Sequence, residues 1–149
     1  MTSITYREAI TTDIPGMQIV RNAVKENVLS NPDLITNDDY IPFITTRGKG
    51  WVCEINRQIV GFAIADLQEQ NIWALFILPE YTGRGVGKAL QKLMLDWYFN
   101  TGNDYVWLGT SPDTRAERFY ALTGWIANGQ HGDEVKFEMT KSHWISLQS

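Results

Sequence analysis

Gly83, Gly85 and Gly87 lie within one short stretch, Leu75-Phe-Ile-Leu-Pro-Glu-Tyr-Thr-Gly-Arg-Gly-Val-Gly-Lys-Ala-Leu90, interleaved with Arg84 and Lys88 and followed by Lys92. No acid lies between Tyr81 and Leu95. An apolar run before the glycines and a helical apolar spacing after them make this a strand, a turn and a helix. Glycines let a backbone approach a ligand closely, and the first N–H groups of a helix have no partner inside it. With the positive end of the helix dipole they form a site for a phosphate or pyrophosphate. A flexible loop beside a solvated basic helix face would not explain why strand, glycines, bases and helical periodicity coincide. Two familiar phosphate loops fail on spacing. A Walker loop needs four residues between its first glycine and the Gly-Lys pair, then Ser or Thr, whereas three separate Gly83 from Gly87 and Ala89 follows Lys88. The dinucleotide fingerprint G-x-G-x-x-G fails too, because Gly83, Gly85 and Gly87 are evenly spaced.

The elements that position this turn can be read from periodicity. Residues 4–10 have strand composition, and Thr11-Thr12-Asp13 with Pro15 predict the start of a helix over 13–28, with apolar Met17, Val20, Val24 and Val28. Asn31-Pro32 breaks the pattern, and a shorter helix is expected from Asn37 or Asp38 to about Thr46. Residues 51–55 and 59–67 read as a hairpin through Asn56-Arg57-Gln58. Residues 72–78 form an unbroken apolar strand suited to a sheet centre and closed by Pro79. After the glycine turn comes a helix with a stripe of Val86, Ala89, Leu90, Leu93, Met94 and Trp97. A strand at 105–109, a helix capped by Ser111 or Asp113 and stopped by Gly124, and strands at 125–127 and 135–140 complete the chain. The order β-α-α-β-β-β-α-β-α-β-β is that of an α/β mixed sheet forming one domain over residues 1–149.

Composition bounds the function. Hydrophobic residues at 44% and charged residues at 20% exclude disorder, and a net charge of −4 speaks against nucleic acid spread over the surface. Cys53 is single and sits in an apolar alternating segment, so it reads as a small buried residue. His131 and His143 lack companions at metal-ligand spacing, so no metal is expected. The N-terminus lacks the apolar core of a signal peptide, and no run approaches the ~20 residues needed to span a bilayer, so the expected compartment is the cytoplasm, without membrane association.

The glycine turn resembles motif A, R/Q-x-x-G-x-G/A, of the GCN5-related N-acetyltransferase (GNAT) family, with its glycines at Gly85 and Gly87 and Thr82 where that family has Arg or Gln. Asp113-Thr-Arg-Ala-Glu-Arg-Phe-Tyr-Ala-Leu-Thr-Gly-Trp125 is similar to the family's N-x-x-A-x-x-F-Y-x-x-x-G-F segment, with Asp113 in place of Asn. The resemblance implies a GNAT-like fold and acetyl-CoA as co-substrate. Its pyrophosphate would lie on Thr82, Gly83, Arg84, Gly85, Val86, Gly87 and Lys88, and its pantetheine arm between the strand ending at Leu78 and the strand ending near Gly109, with Phe76, Ile77, Leu78, Asp113, Ala116, Phe119 and Tyr120 as further contacts of the co-substrate. The backbone N–H of Ile77 would stabilise the oxyanion, a donor worth roughly 3 kcal/mol. Tyr120 matches the family tyrosine that protonates the departing thiolate, although its position on the apolar face of Ala116, Phe119 and Thr123 also suits a core aromatic.

The acceptor implied is a primary amine of a small molecule or peptide. No residue declares itself as the base; Asp66, Glu69 and Glu80 lie near by chain position and read as surface carboxylates. Glu26, Asp33, Asp38, Asp39 and Glu54 outnumber nearby bases, a mild argument for a cationic acceptor and equally an ordinary acidic surface. The six tryptophans read mostly as core, with an aromatic acceptor pocket or a homodimer contact as further uses. Two readings without turnover stand beside the enzyme: a sensor that holds CoA or acyl-CoA, and a non-catalytic subunit that uses its aromatic surface for assembly.

Overall fold

Strand β1 (Ile4–Glu8) lies antiparallel to β2 (Gly48–Ile55), which turns through Asn56 and Arg57, both at positive φ (52° and 70°), into β3 (Gln58–Asp66). Left-handed residues at both turn positions match the twist of the flanking strands. The computed structural model describes residues 3–24 and 35–148. Between β1 and β2 come α1 (Ile14–Ala23) and α2 (Tyr40–Thr45). After β3 follow β4 (Asn71–Ile77), α3 (Val86–Asn100), β5 (Tyr105–Thr110), α4 (Arg115–Leu122), β6 (Ile126–His131), β7 (Glu134–Thr140) and α5 (Lys141–Gln148). The seven strands form one mixed sheet in the order β1-β2-β3-β4-β5-β7-β6, antiparallel except where β4 runs parallel to β5. The α/β mixed sheet expected from periodicity is therefore the fold, with β4 at its centre. Among the described residues, no helix is long and apolar enough to cross a membrane.

Several boundaries differ from those periodicity suggests. The first helix stops at Ala23, because Val24 turns to ψ 101°, an extended conformation that suits its β-branched side chain. The rest of the expected helix to Val28, and the Asn31-Pro32 break, lie outside the described residues. The stripe of α3 is rotated: Leu93 is 39% exposed, while Gln91, Leu95, Tyr98 and Phe99 are buried with Val86, Leu90 and Met94. Gln91 can be buried because its Oε1 accepts the Trp125 indole N–H at 2.9 Å. The cap of α4 is neither Ser111 nor Asp113 but Thr114, whose hydroxyl accepts Glu117 N–H at 3.2 Å. Helix α5 has no counterpart in the expected order. Its eight residues bury only Trp144, whose indole N–H reaches Asp96 Oδ1 at 2.9 Å, so it carries no apolar periodicity to detect.

The entry into α1 is held by Asp13. Its carboxylate accepts Ile10 N–H at 2.8 Å and both Nη1 and Nη2 of Arg7, each at 2.8 Å. Arg7 beside it holds the Asp13 carboxyl below the usual carboxylate range, a shift opposed by burial. A lowered folded value means the stabilisation is present above about pH 3.9, the unfolded value, and fades as pH falls through the folded one. Asp13→Ala is expected to cost about 1–2 kcal/mol, because it removes the acceptor of Ile10 N–H at the entry to α1 and one of the two carboxylates that hold the partly exposed Arg7, which keeps Glu54. Urea unfolding of wild type and variant at pH 7 measures this, and the difference should shrink in acid.

Candidate functional site

The centre of the sheet is only partly closed. β4 and β5 share a single register pair, Asn71 with Trp107. One step further along β4, Ile64 pairs with Ala74 and Ala65 with Ile72, so Trp73 is an extra residue on β4, a bulge that bends the strand. Beyond it the strands part. Leu78 gives its N–H to Val60 O of β3 at 2.8 Å. Because N–H groups alternate along a strand, those of Ile77 and Leu75 face the parted side. Leu75 and Phe76 line the resulting cleft of about 500 Å³, together with Trp73, Trp107, Gly109 and Thr110; Ile77 is not in its lining. Leu78 is buried. The half-exposure of Leu75, Phe76 and Ile77 on an otherwise apolar central strand marks the opening.

At the end where the strands part, β4 leads into the glycine turn. Pro79–Tyr81 makes one 3-10 turn, Gly83 has φ +76° and Gly85 has φ +84°, and Gly85 caps α3. A Cβ at either glycine would meet no protein atom within 4 Å, so packing does not demand them; their backbone conformation does. The first backbone bond of α3 is Ala89 N–H to Gly85 O at 3.0 Å, which leaves the N–H groups of Val86, Gly87 and Lys88 without a partner inside the helix. Gly87 has a different reason. A Cβ there would lie 3.3 Å from Phe119 Cε1, so Gly87 lets α4 pack against α3 rather than opening the turn toward a ligand.

The bases around the turn are not equivalent. Lys92 pairs with Asp96 at 2.7 Å, and the Arg84 guanidinium stacks on Tyr81 at 5.2 Å. Arg115 of α4 donates from Nη1 to Thr82 Oγ1 at 3.1 Å. A guanidinium from α4 thus reaches Thr82, the position where motif A has Arg or Gln; it comes from 33 residues away and no local pattern reveals it.

Helix α4 presents Ala116 and Tyr120, one turn apart, to the same cleft. Tyr120 is 6% exposed, its ring among Phe119, Trp125 and Phe137, and burial pushes its hydroxyl well above the usual tyrosine range. Among the described residues that hydroxyl has no hydrogen-bond partner. Asp113 lies just before α4, exposed and left-handed (φ 61°), its N–H held by Glu117 Oε1 at 2.8 Å.

The cleft also gathers groups that spacing did not bring together: Arg21, Asn71, His131 and Glu134. Glu134 lies over β5, where a Cβ at Gly109 would fall 2.6 Å from its Oε1. The carboxylates nearest by chain position do not join them. Asp66, read as a surface carboxylate, is 1% exposed and bound bidentately by Arg47 at 2.5 and 3.1 Å, and it also accepts Gln68 N–H. Glu69 and Glu80 are exposed and outside the lining. Of the acids counted toward a cationic acceptor, Glu54 binds Arg7, Asp39 accepts Thr36 N–H, and neither they nor Asp38 line the cleft. Glu26 and Asp33 lie outside the described residues. Two of the six tryptophans, Trp73 and Trp107, line the cleft, while Trp51, Trp125 and Trp144 are buried.

Residues 19–125 match the pattern of the Acetyltransferase (GNAT) family. An uncharacterized N-acetyltransferase of Mycobacterium tuberculosis is 38% identical over 76 residues, 48% of this chain and 49% of that protein, so the match spans about half the length of that relative. An uncharacterized N-acetyltransferase of Archaeoglobus fulgidus is 30% identical over 96 residues, 56% of this chain and 65% of its own. In fold, the chain is similar to a GNAT-family acetyltransferase of Staphylococcus aureus (TM-score 0.78, 16% identity, 93% of this chain and 99% of that one). It is also similar to the PaiA N-acetyltransferase of Thermoplasma acidophilum, solved in complex with coenzyme A (TM-score 0.73, 14% identity, the same coverage).

Proposed function

The chain belongs to the acetyltransferase (GNAT) family, and on that premise we propose that it moves the acetyl group of acetyl-CoA to a primary amine of a small molecule or peptide by direct transfer. The observation that carries the reading is the parting of β4 from β5 after one shared pair, with a left-handed glycine turn at one end of the opening and the unpartnered Tyr120 hydroxyl in its wall. These residues fit the co-substrate. The N–H groups of the turn and the start of α3, with Arg84, Lys88 and Arg115 nearby, suit a pyrophosphate. The free edges of β4 and β5 suit an extended arm with amide groups.

Acetyl-CoA supplies a thioester, whose C–S bond breaks as the amine nitrogen bonds to its carbonyl carbon. In this reading the N–H of Leu75, in the wall of the cleft, holds the carbonyl oxygen as it gains charge, and that of Ile77, nearer the glycine turn, holds an amide oxygen of the extended arm; both are main-chain interactions that side-chain substitution leaves in place. Tyr120 gives its proton to the departing sulfur. Burial keeps that proton in place until it is needed. An amine with a pKa near ~10.4 is unprotonated in only about one molecule in a thousand at neutral pH, so a base must take its proton. Glu134 and His131, the carboxylate and imidazole of the cleft, take it directly or through water.

Calorimetric titration with acetyl-CoA, followed by a thiol-release assay over a panel of primary amines, tests the proposal. Binding with amine-dependent thiol release is expected. Binding without release from any amine would make the protein a CoA sensor, and absence of binding would remove the co-substrate altogether.

A further inference from the structure

Arg21 is the most unusual charge in the cleft. It follows Val20 and lies one turn after Met17, both fully buried, so the inward face of α1 carries it into the protein, where it is 8% exposed. Its guanidinium carbon lies 4.8 Å from the ring centres of both Trp73 and Phe76 and 5.7 Å from that of Tyr40. Arg21 Nε donates to the Tyr40 hydroxyl at 3.1 Å, which in turn donates to Gln18 Oε1 at 2.6 Å. The head group is thereby fixed in position, yet Nη2 is buried with no acceptor, and no carboxylate pairs with Arg21 among the described residues. Trp73 and Phe76, the rings it lies on, line the same cleft as Arg21 itself.

Aromatic faces attract a guanidinium but offer no lone pair in the plane of its N–H bonds. A charge taken out of water without an anionic partner is costly, and the planar fork of arginine matches a carboxylate. Asn71, in the same cleft, has its Oδ1 buried and unpartnered as well, an acceptor waiting for an N–H. A polyamine would bring a second positive charge toward Arg21. Resting on the acetyl-transfer reading, we infer that the acceptor is an amine that also carries a carboxylate, of the α-amino-acid type. Its carboxylate is held by Arg21, and an N–H of the same molecule is held by Asn71.

The test compares matched acceptors: phenylalanine with phenethylamine, tryptophan with tryptamine, leucine with isoamylamine. Their binding to the CoA-loaded wild-type protein is measured by calorimetry, and their acetylation by thiol release. Amino acids are expected to bind and the decarboxylated partners to bind at least tenfold more weakly. Arg21→Gln should weaken amino-acid binding about 100-fold, the usual scale for removing one partner of a desolvated charge pair, without weakening that of the amines, from which it removes a like charge. Equal or tighter binding of the decarboxylated amines to wild type overturns the inference whether or not the variant folds, and so does an Arg21→Gln loss that is the same for both classes. The two readings fail separately. Carboxylate-dependent binding without thiol release defeats acetyl transfer and supports Arg21, whereas turnover of amines regardless of carboxylate supports acetyl transfer and defeats Arg21.

Discussion

Tyr120→Phe is expected to lower turnover about 100-fold, the low end for loss of a positioned general acid, with the affinity for acetyl-CoA unchanged. The substitution keeps the ring and its packing against Phe119, Trp125 and Phe137. It also removes a nearly buried hydroxyl that bonds to nothing among the described residues, so the melting temperature should hold or rise slightly. Lost activity with undiminished stability separates a working hydroxyl from a core ring that happens to be a tyrosine. Because burial raises the hydroxyl above its ordinary value of about 10, it stays protonated below that pH, and no alkaline loss of turnover before then belongs to Tyr120. Steady-state rates across pH for wild type and variant measure both points. Unchanged turnover in Tyr120→Phe would remove this residue from the chemistry.

Gly85→Val should weaken CoA binding at least 100-fold while costing only about 1–2 kcal/mol of stability. Gly85 holds φ +84° at the cap of α3, a conformation a β-branched residue resists, so the turn must rearrange and its N–H groups lose their common direction. No protein atom lies within 4 Å of where the new Cβ would stand, so the core is not disturbed. Gly87→Val is expected to act by another route, through Phe119 and the seating of α4, and should cost stability along with binding. Calorimetric titration and thermal melts of the two variants distinguish these routes. Wild-type CoA affinity in Gly85→Val would mean that the turn holds no phosphate.

What was legible in the chain were features whose signal is local. The strand, glycine turn and helix from β4 to α3 follow from apolar runs and periodicity, and the hairpin of β2 and β3 from its turn residues. Helix α3 shows the limit. Its expected stripe included Leu93, but the helix is rotated so that Gln91 faces inward, and only the distant Trp125 explains why a glutamine can lie there. Arg115 at Thr82, and Glu134 over Gly109, are tertiary meetings without a sequence period. Arg21 is different, because a signal was present. Positions 17, 20 and 21 are three and four apart in helical register, so the spacing itself places Arg21 on the same face of α1 as Met17 and Val20.

The single pair joining β4 to β5 leaves one sheet behaving as two panels that share one rung. Main-chain bonding cannot hold such panels in register, and the polar tips of aromatic side chains take over the task. The Trp107 indole reaches Glu69 O across the seam at 3.1 Å, and the Tyr98 hydroxyl reaches from α3 to Tyr105 O of β5 at 2.7 Å. Trp125 and Trp144 fasten the far side to α3 through Gln91 and Asp96. Much of the tryptophan in this chain therefore serves as stitching, its indole N–H groups tying the two panels to each other and to α3 where the main chain does not.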